Sequence, residues 1–135
     1  MPQPILGPAG VTVYTPPALE IYQKVAYLDT SAGDAVGFLA FALPKGCIPT
    51  SIFFASLGAN VAQTINLGTT LGGGQLVNAL ACNGAQFNTV GTAVGALFGT
   101  QLTADTPIYA KASAQLTSPV RVLVRYYFPQ QGMTW

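Results

Sequence analysis

No histidine occurs anywhere in the 135 residues, and acidic and basic side chains together make up only 7% of them. The missing imidazole removes Ser-His-Asp and Cys-His pairs, in which a base must activate the nucleophile, and it removes the commonest neutral metal ligand. The carboxylates are Glu20, Asp29, Asp34 and Asp105. Three of them lie in or beside turn-like sequence, where Asp ordinarily bonds its own backbone. A paired-carboxylate site would need Asp29 or Asp34 to meet Asp105 in space. The Asp29–Asp34 loop is too short of oxygen donors to read as a calcium site. Cys47 and Cys82 have no CxxC spacing, and two thiolates alone leave a zinc tetrahedron half empty. They read as free, buried thiols acting as small hydrophobes, with a disulfide as the alternative. No enzymatic activity, metal or cofactor is expected.

Charge is scarce in absolute terms as well. Five basic residues and a net charge of +1 give no clustered cationic surface to displace counterions, so direct nucleic-acid binding is not expected. Nor is a membrane partner. No stretch reaches the roughly 18 uninterrupted apolar residues of a spanning helix, and Met1-Pro-Gln-Pro lacks the basic region and apolar core of a secretory signal. The chain is expected to be made in a cytoplasm. A surface with so little charge repels its copies weakly, which points to life in contact with other chains.

What the chain does have is strand pattern and turn residues: 50% hydrophobic, with 15 glycines and 10 prolines. In Val120 to Phe128 the residues Val120, Val122, Val124, Tyr126 and Phe128 alternate with Arg121, Leu123, Arg125 and Tyr127, giving the two strand faces different chemistry. Ile108 to Leu116 alternates as well, and Thr117-Ser118-Pro119 reads as a short turn. The two runs are therefore expected to pair as an antiparallel hairpin. Glu20 to Leu28 reads as a partly exposed strand and Val36 to Leu43, apolar on both sides, as a central one. Ile48 to Leu57 and Gln63 to Leu67 complete the regular part.

Three other regions are distinct. Residues 1–18 are interrupted by prolines that hold the chain extended, an arm rather than part of the core. Residues 69–104 are rich in small residues and read as a variable insertion. Their Gly72-Gly-Gly74 lacks the following Lys-Ser/Thr of a phosphate loop. Gly91, Gly95 and Gly99 have a spacing that lets membrane helices touch, but the apolar run around them is half a bilayer long, so the ordinary reading is a loop. Residues 130–135 form a tail ending in Trp135, a large apolar group in need of a surface. The expected organisation is an all-β, antiparallel β-sandwich over 19–129, with the jelly roll as one form of it, an extended N-terminal arm and a short tail.

Candidate partner-binding residues follow from this. On the arm they are Ile5, Leu6, Val11, Val13 and Tyr14, and on the tail Trp135. Arg121 and Arg125 share one strand face, and Lys111 is expected beside them on the paired strand, making a small basic patch. The late aromatics Tyr109, Tyr126, Tyr127 and Phe128 suit either core packing or a sugar-stacking face.

Two stretches carry a resemblance. They are Leu43-Pro-Lys-Gly-Cys-Ile48 with Ala62-Gln-Thr-Ile-Asn-Leu-Gly68, and Leu102-Thr-Ala-Asp-Thr-Pro-Ile-Tyr109 with Leu116-Thr-Ser-Pro-Val-Arg-Val-Leu-Val-Arg-Tyr126. Their order resembles small β-sandwich head-decoration, or cement, proteins of tailed bacteriophages. The resemblance implies a non-enzymatic structural protein on the capsid surface of a virion, made in the host cytoplasm. Its partners would be the major capsid protein and its own copies, as a trimer, with arms reaching neighbours between capsid subunits. A carbohydrate- or receptor-binding module of the virion is the alternative.

Overall fold

A computed structural model describes residues 4–6, 12–14 and 20–129. Its strands are β1 (Pro4–Leu6), β2 (Thr12–Tyr14), β3 (Ile21–Leu28), β4 (Phe38–Leu43), β5 (Ile48–Ser56), β6 (Asn60–Gly68), β7 (Val77–Cys82), β8 (Gln86–Thr89), β9 (Thr106–Ala112) and β10 (Val120–Tyr127), with one short helix, α1 (Ala32–Val36). Alternation drives the long strands. In β10 the residues Val120, Val122, Val124 and Tyr126 are buried while Arg121, Leu123 and Arg125 face outward, and in β9 Ile108, Ala110 and Ala112 are buried. Burying one side of each strand against another layer is what makes a two-sheet core.

The strands form two four-stranded sheets, β3-β10-β5-β8 and β4-β9-β6-β7, all of whose pairings are antiparallel. The pairs β3/β10, β4/β9, β5/β8 and β6/β7 nest inside one another, and successive pairs fall in alternate sheets. A ribbon of nested antiparallel pairs rolled in this way is a jelly roll. Its core holds Leu28, Leu43, Ile52, Ile65, Leu67, Leu76, Val77, Ile108 and the three valines of β10, all essentially without solvent contact. Among the described residues β1 and β2 pair only with each other, Ile5 opposite Val13 and Leu6 opposite Thr12.

Three expectations are corrected by the topology. β9 and β10 are not a hairpin: they lie in opposite sheets, and residues 113–119 carry the chain across the sandwich. β9 ends at Ala112, Leu116 is buried in the core, and the buried Asn60 side chain holds the far end of the crossing. Two alternating runs can face each other across a core as readily as bond side by side, and a turn-like tripeptide does not distinguish these outcomes. β4 is not central but at a sheet edge, bonded among the described strands to β9 alone, and its apolar outer side stays exposed at Leu39. Val36, read as the start of that strand, belongs to α1 and is exposed.

Residues 69–104, read as an insertion, contribute β7 to one sheet and β8 to the other. They also supply Leu76, Val77, Leu80, Cys82, Val90 and Leu102 to the core. Gly91, Gly95 and Gly99 lie in the turns between β8 and β9 and do different things there. A side chain at Gly91 would meet open space, Gly99 has φ +77°, and Gly95 passes so close to Gly74 and Gln75 that a Cβ would collide with both their backbone oxygens.

Candidate docking surfaces

The outer face of the β3-β10-β5-β8 sheet gathers arginines and rings across strands. Cross-strand register places Arg121 opposite Tyr27 of β3, and Leu123 opposite Phe53 of β5. Arg121 Nη1 donates to Asp29 Oδ1 at 2.8 Å, and the guanidinium lies 4.8 Å from the Tyr27 ring centroid. Arg125 lies 4.9 Å over the Phe53 ring, and Phe53 stacks on Phe87 of β8 with centroids 5.8 Å apart and planes at 10°. Exposed contacts of this kind are worth about 0.5–1 kcal/mol each. They hold long side chains flat and ordered on the sheet, so a surface meeting them loses little side-chain entropy. Phe87 and Tyr27 remain 60% and 56% exposed. Asp29 neutralises Arg121, while Arg125 has only ring partners among its described contacts.

Lys111 does not join this patch. It stands on β9, on the other sheet, beside a hollow of about 170 Å³ shared with Thr64, Asn66, Gly72 and Ser113. Because β9 and β10 lie in different layers, their outward faces point to opposite sides of the sandwich. Ile5, Leu6, Val13 and Tyr14 lie on the separate β1–β2 pair. Val11 and Trp135 fall outside the described residues.

The late aromatics split between core and rim. Tyr126 and Tyr127 are buried, and Tyr126 stacks on Tyr22 with centroids 5.7 Å apart, Phe128 meeting both rings edge-on. The Tyr22 hydroxyl donates to Glu20, and that hydrogen bond, with the nearby carboxylate charge, raises the Tyr22 pKa. Tyr27, Phe53 and Phe87 were the rings that sequence reasoning missed. Only the outward parity of Arg121 and Arg125 pointed toward them, and naming them needs the strand order.

The remaining reactive groups have local roles. Asp105 Oδ1 accepts the Lys45 backbone N–H at 2.8 Å, pinning one turn to another. Asp34 is buried in α1. Cys47 and Cys82 are free and buried, and burial pushes both thiols up to about 11. A thiol held neutral in this way is a poor nucleophile. Among the described residues, no three His, Cys, Asp or Glu side chains come together as a metal-binding group.

Fold and surface together define a jelly-roll domain with an arginine-and-aromatic outer sheet. Its architecture is similar to a chain of the capsid asymmetric unit of cyanophage Pam1, with a TM-score of 0.55 and 17% identity over 91% of this chain and 97% of that one. It is likewise similar to a chain in the acid-stable capsid of Helicobacter pylori bacteriophage KHP30, with a TM-score of 0.54 and 14% identity over 96% and 95% of the two chains. At these identities the likeness is one of fold, and it extends over nearly the whole of each partner. No protein-family model and no curated protein matches the sequence.

Proposed function

We propose that this protein is a non-enzymatic structural component of a virus particle, a decoration or cement protein bound at the capsid surface between subunits of the major capsid protein. The observation that carries the reading is the outer face of the β3-β10-β5-β8 sheet. Tyr27 and Phe87 are more than half exposed there, beside two arginines already ordered by ring contacts. Arginine and aromatic anchors held in place before contact are the side chains that dominate stable interfaces. The fold shared with two phage capsid chains supports the same conclusion, as does the low overall charge.

In this reading residues 1–18 are an arm and residues 130–135 a tail, both reaching to neighbours. The copies form a trimer on the virion surface after synthesis in the host cytoplasm, with no nucleic acid or membrane as direct partner. The test is co-sedimentation with intact particles, for the parent, Phe87→Ala/Arg125→Ala and a chain lacking residues 1–18. The reading expects weaker binding by both variants at an unchanged melting temperature. Binding undiminished in both would overturn it. The exposed rings of Tyr27 and Phe87 also suit a sugar-stacking surface. A glycan array separates that reading, since a cement protein leaves it blank.

A further inference from the structure

Strand β3 bonds β10 over all eight of its residues with no break in register, and among the described residues no strand occupies its other side. The other sheet edges are shorter or already blunted. β8 has four residues, β4 is broken by a register shift after Leu39, and β7 is bridged by the segment around Val94. β3 contains no proline or bulge, and its Ile21, Tyr22 and Tyr27 side chains are 53%, 41% and 56% exposed. A long, regular edge with exposed apolar side chains is a template for pairing with another chain.

The charges along this edge select its partner. Glu20 and Lys24, both exposed, are four positions apart and so stand on the same face as Tyr22, which lies midway between them. We infer that the start of this edge, residues 20–24, pairs antiparallel with the same residues of a second copy across a two-fold axis at Tyr22, joining two sheets into one of eight strands. In that register Glu20 faces the partner's Lys24, and Lys24 faces the partner's Glu20. Opposite charges directly across an antiparallel pair attract, and like charges there repel. An axis at Gln23 or at Val25 loses both charge pairs, and one at Lys24 sets that lysine against its own copy, so of these registers the one at Tyr22 alone gains from charge. In this register residues 20–24 of one copy face residues 24–20 of the other, so the paired stretch is short. The contact is therefore weak in dilute solution and strengthens where copies are already held close together, as in a shell. It does not rest on the cement reading. Where a trimer also forms, the β3 pair links one trimer to the next.

The experiment is sedimentation equilibrium of the full chain over a range of concentrations, with each variant's melting temperature recorded beside it. The parent is expected to self-associate reversibly. Lys24→Glu and Glu20→Lys each place like charges at both facing positions and are expected to weaken that association by about tenfold or more. The double exchange restores attraction and is expected to return association to near the parent's. Mixing the two single variants should yield heterodimers, because one then carries two acids at these positions and the other two bases. A parent that stays monomeric at all concentrations would overturn the inference. So would single variants that associate like the parent, or a mixture that behaves as the sum of its parts. Since the mixing arm compares two folded chains, loss of one variant's stability cannot imitate the expected result.

Discussion

Replacing Asn60 by alanine removes the side chain that ties the β9–β10 crossing to the sandwich. Asn60 is fully buried at the start of β6. Its Oδ1 accepts the backbone N–H of Thr117 at 2.8 Å and of Ser118 at 2.9 Å, and its Nδ2 donates to the Ser118 carbonyl at 3.1 Å. These bonds replace ladder partners for residues that belong to neither sheet, so alanine leaves two donors and one acceptor without a mate in a partly buried place. At about 0.5–1.5 kcal/mol for each net bond, the loss is about 2–4 kcal/mol. A domain of this kind has a total stability of roughly 5–15 kcal/mol, and the melting temperature should fall by about 10 °C. The assay is urea unfolding followed by circular dichroism, with thermal melting beside it. The midpoint should move while the slope stays the same, because the surface exposed on unfolding does not change. Thr117→Val is the control: it deletes a hydroxyl that also contacts Ala59 but keeps both backbone bonds to Asn60, and should cost under about 1 kcal/mol. A loss below about 0.5 kcal/mol for Asn60→Ala would refute the idea that this side chain holds the crossing.

Other perturbations test separate parts of the structure. Val122→Ala, at a position without solvent contact, should cost about 2–3 kcal/mol through lost burial and a residual cavity, whereas Arg125→Ala on the outer face should change the urea midpoint little. Gly95→Ala should destabilise strongly, since a Cβ would meet backbone oxygens of Gly74 and Gln75 that cannot swing aside, while Gly91→Ala, facing open space, should melt like the parent. The buried thiols set an alkaline limit. Their folded pKa values of about 11 stand above the ordinary 9.0, so the native state keeps protons that the unfolded chain releases. Stability from this source is complete below pH 9 and drains away as pH rises to about 11. Cys47→Ala/Cys82→Ala should flatten that part of a melting-temperature profile, at some cost in packing at neutral pH.

The sequence alone was enough to establish β3 to β6, β9 and β10 as strands, with much of their sidedness, but not β7 and β8. Val120, Val122, Val124 and Tyr126 face the core, as their spacing requires, and Arg121 and Arg125 face away from it. Period-two alternation records burial residue by residue, so it survives in a linear reading. The same pattern underlay the antiparallel sandwich, which the two four-stranded sheets bear out. Which strand lies beside which was decided only in three dimensions. Ile108–Ala112 and Val120–Tyr126 satisfy their alternation equally well as hairpin partners or across a core. The choice depends on Asn60 reaching Thr117 and Ser118, more than fifty residues away. β7, inside the stretch read as an insertion, was hidden because its irregular pairing blurs its alternation, with Ala79 at φ +56°. The outer surface was hidden for the same reason. Tyr27, Phe53 and Phe87 are far apart in the chain, and strand order alone sets them beside Arg121 and Arg125. Local pattern encodes which side of a strand meets water, whereas neighbours across a sheet are fixed by the lowest free energy of the whole roll.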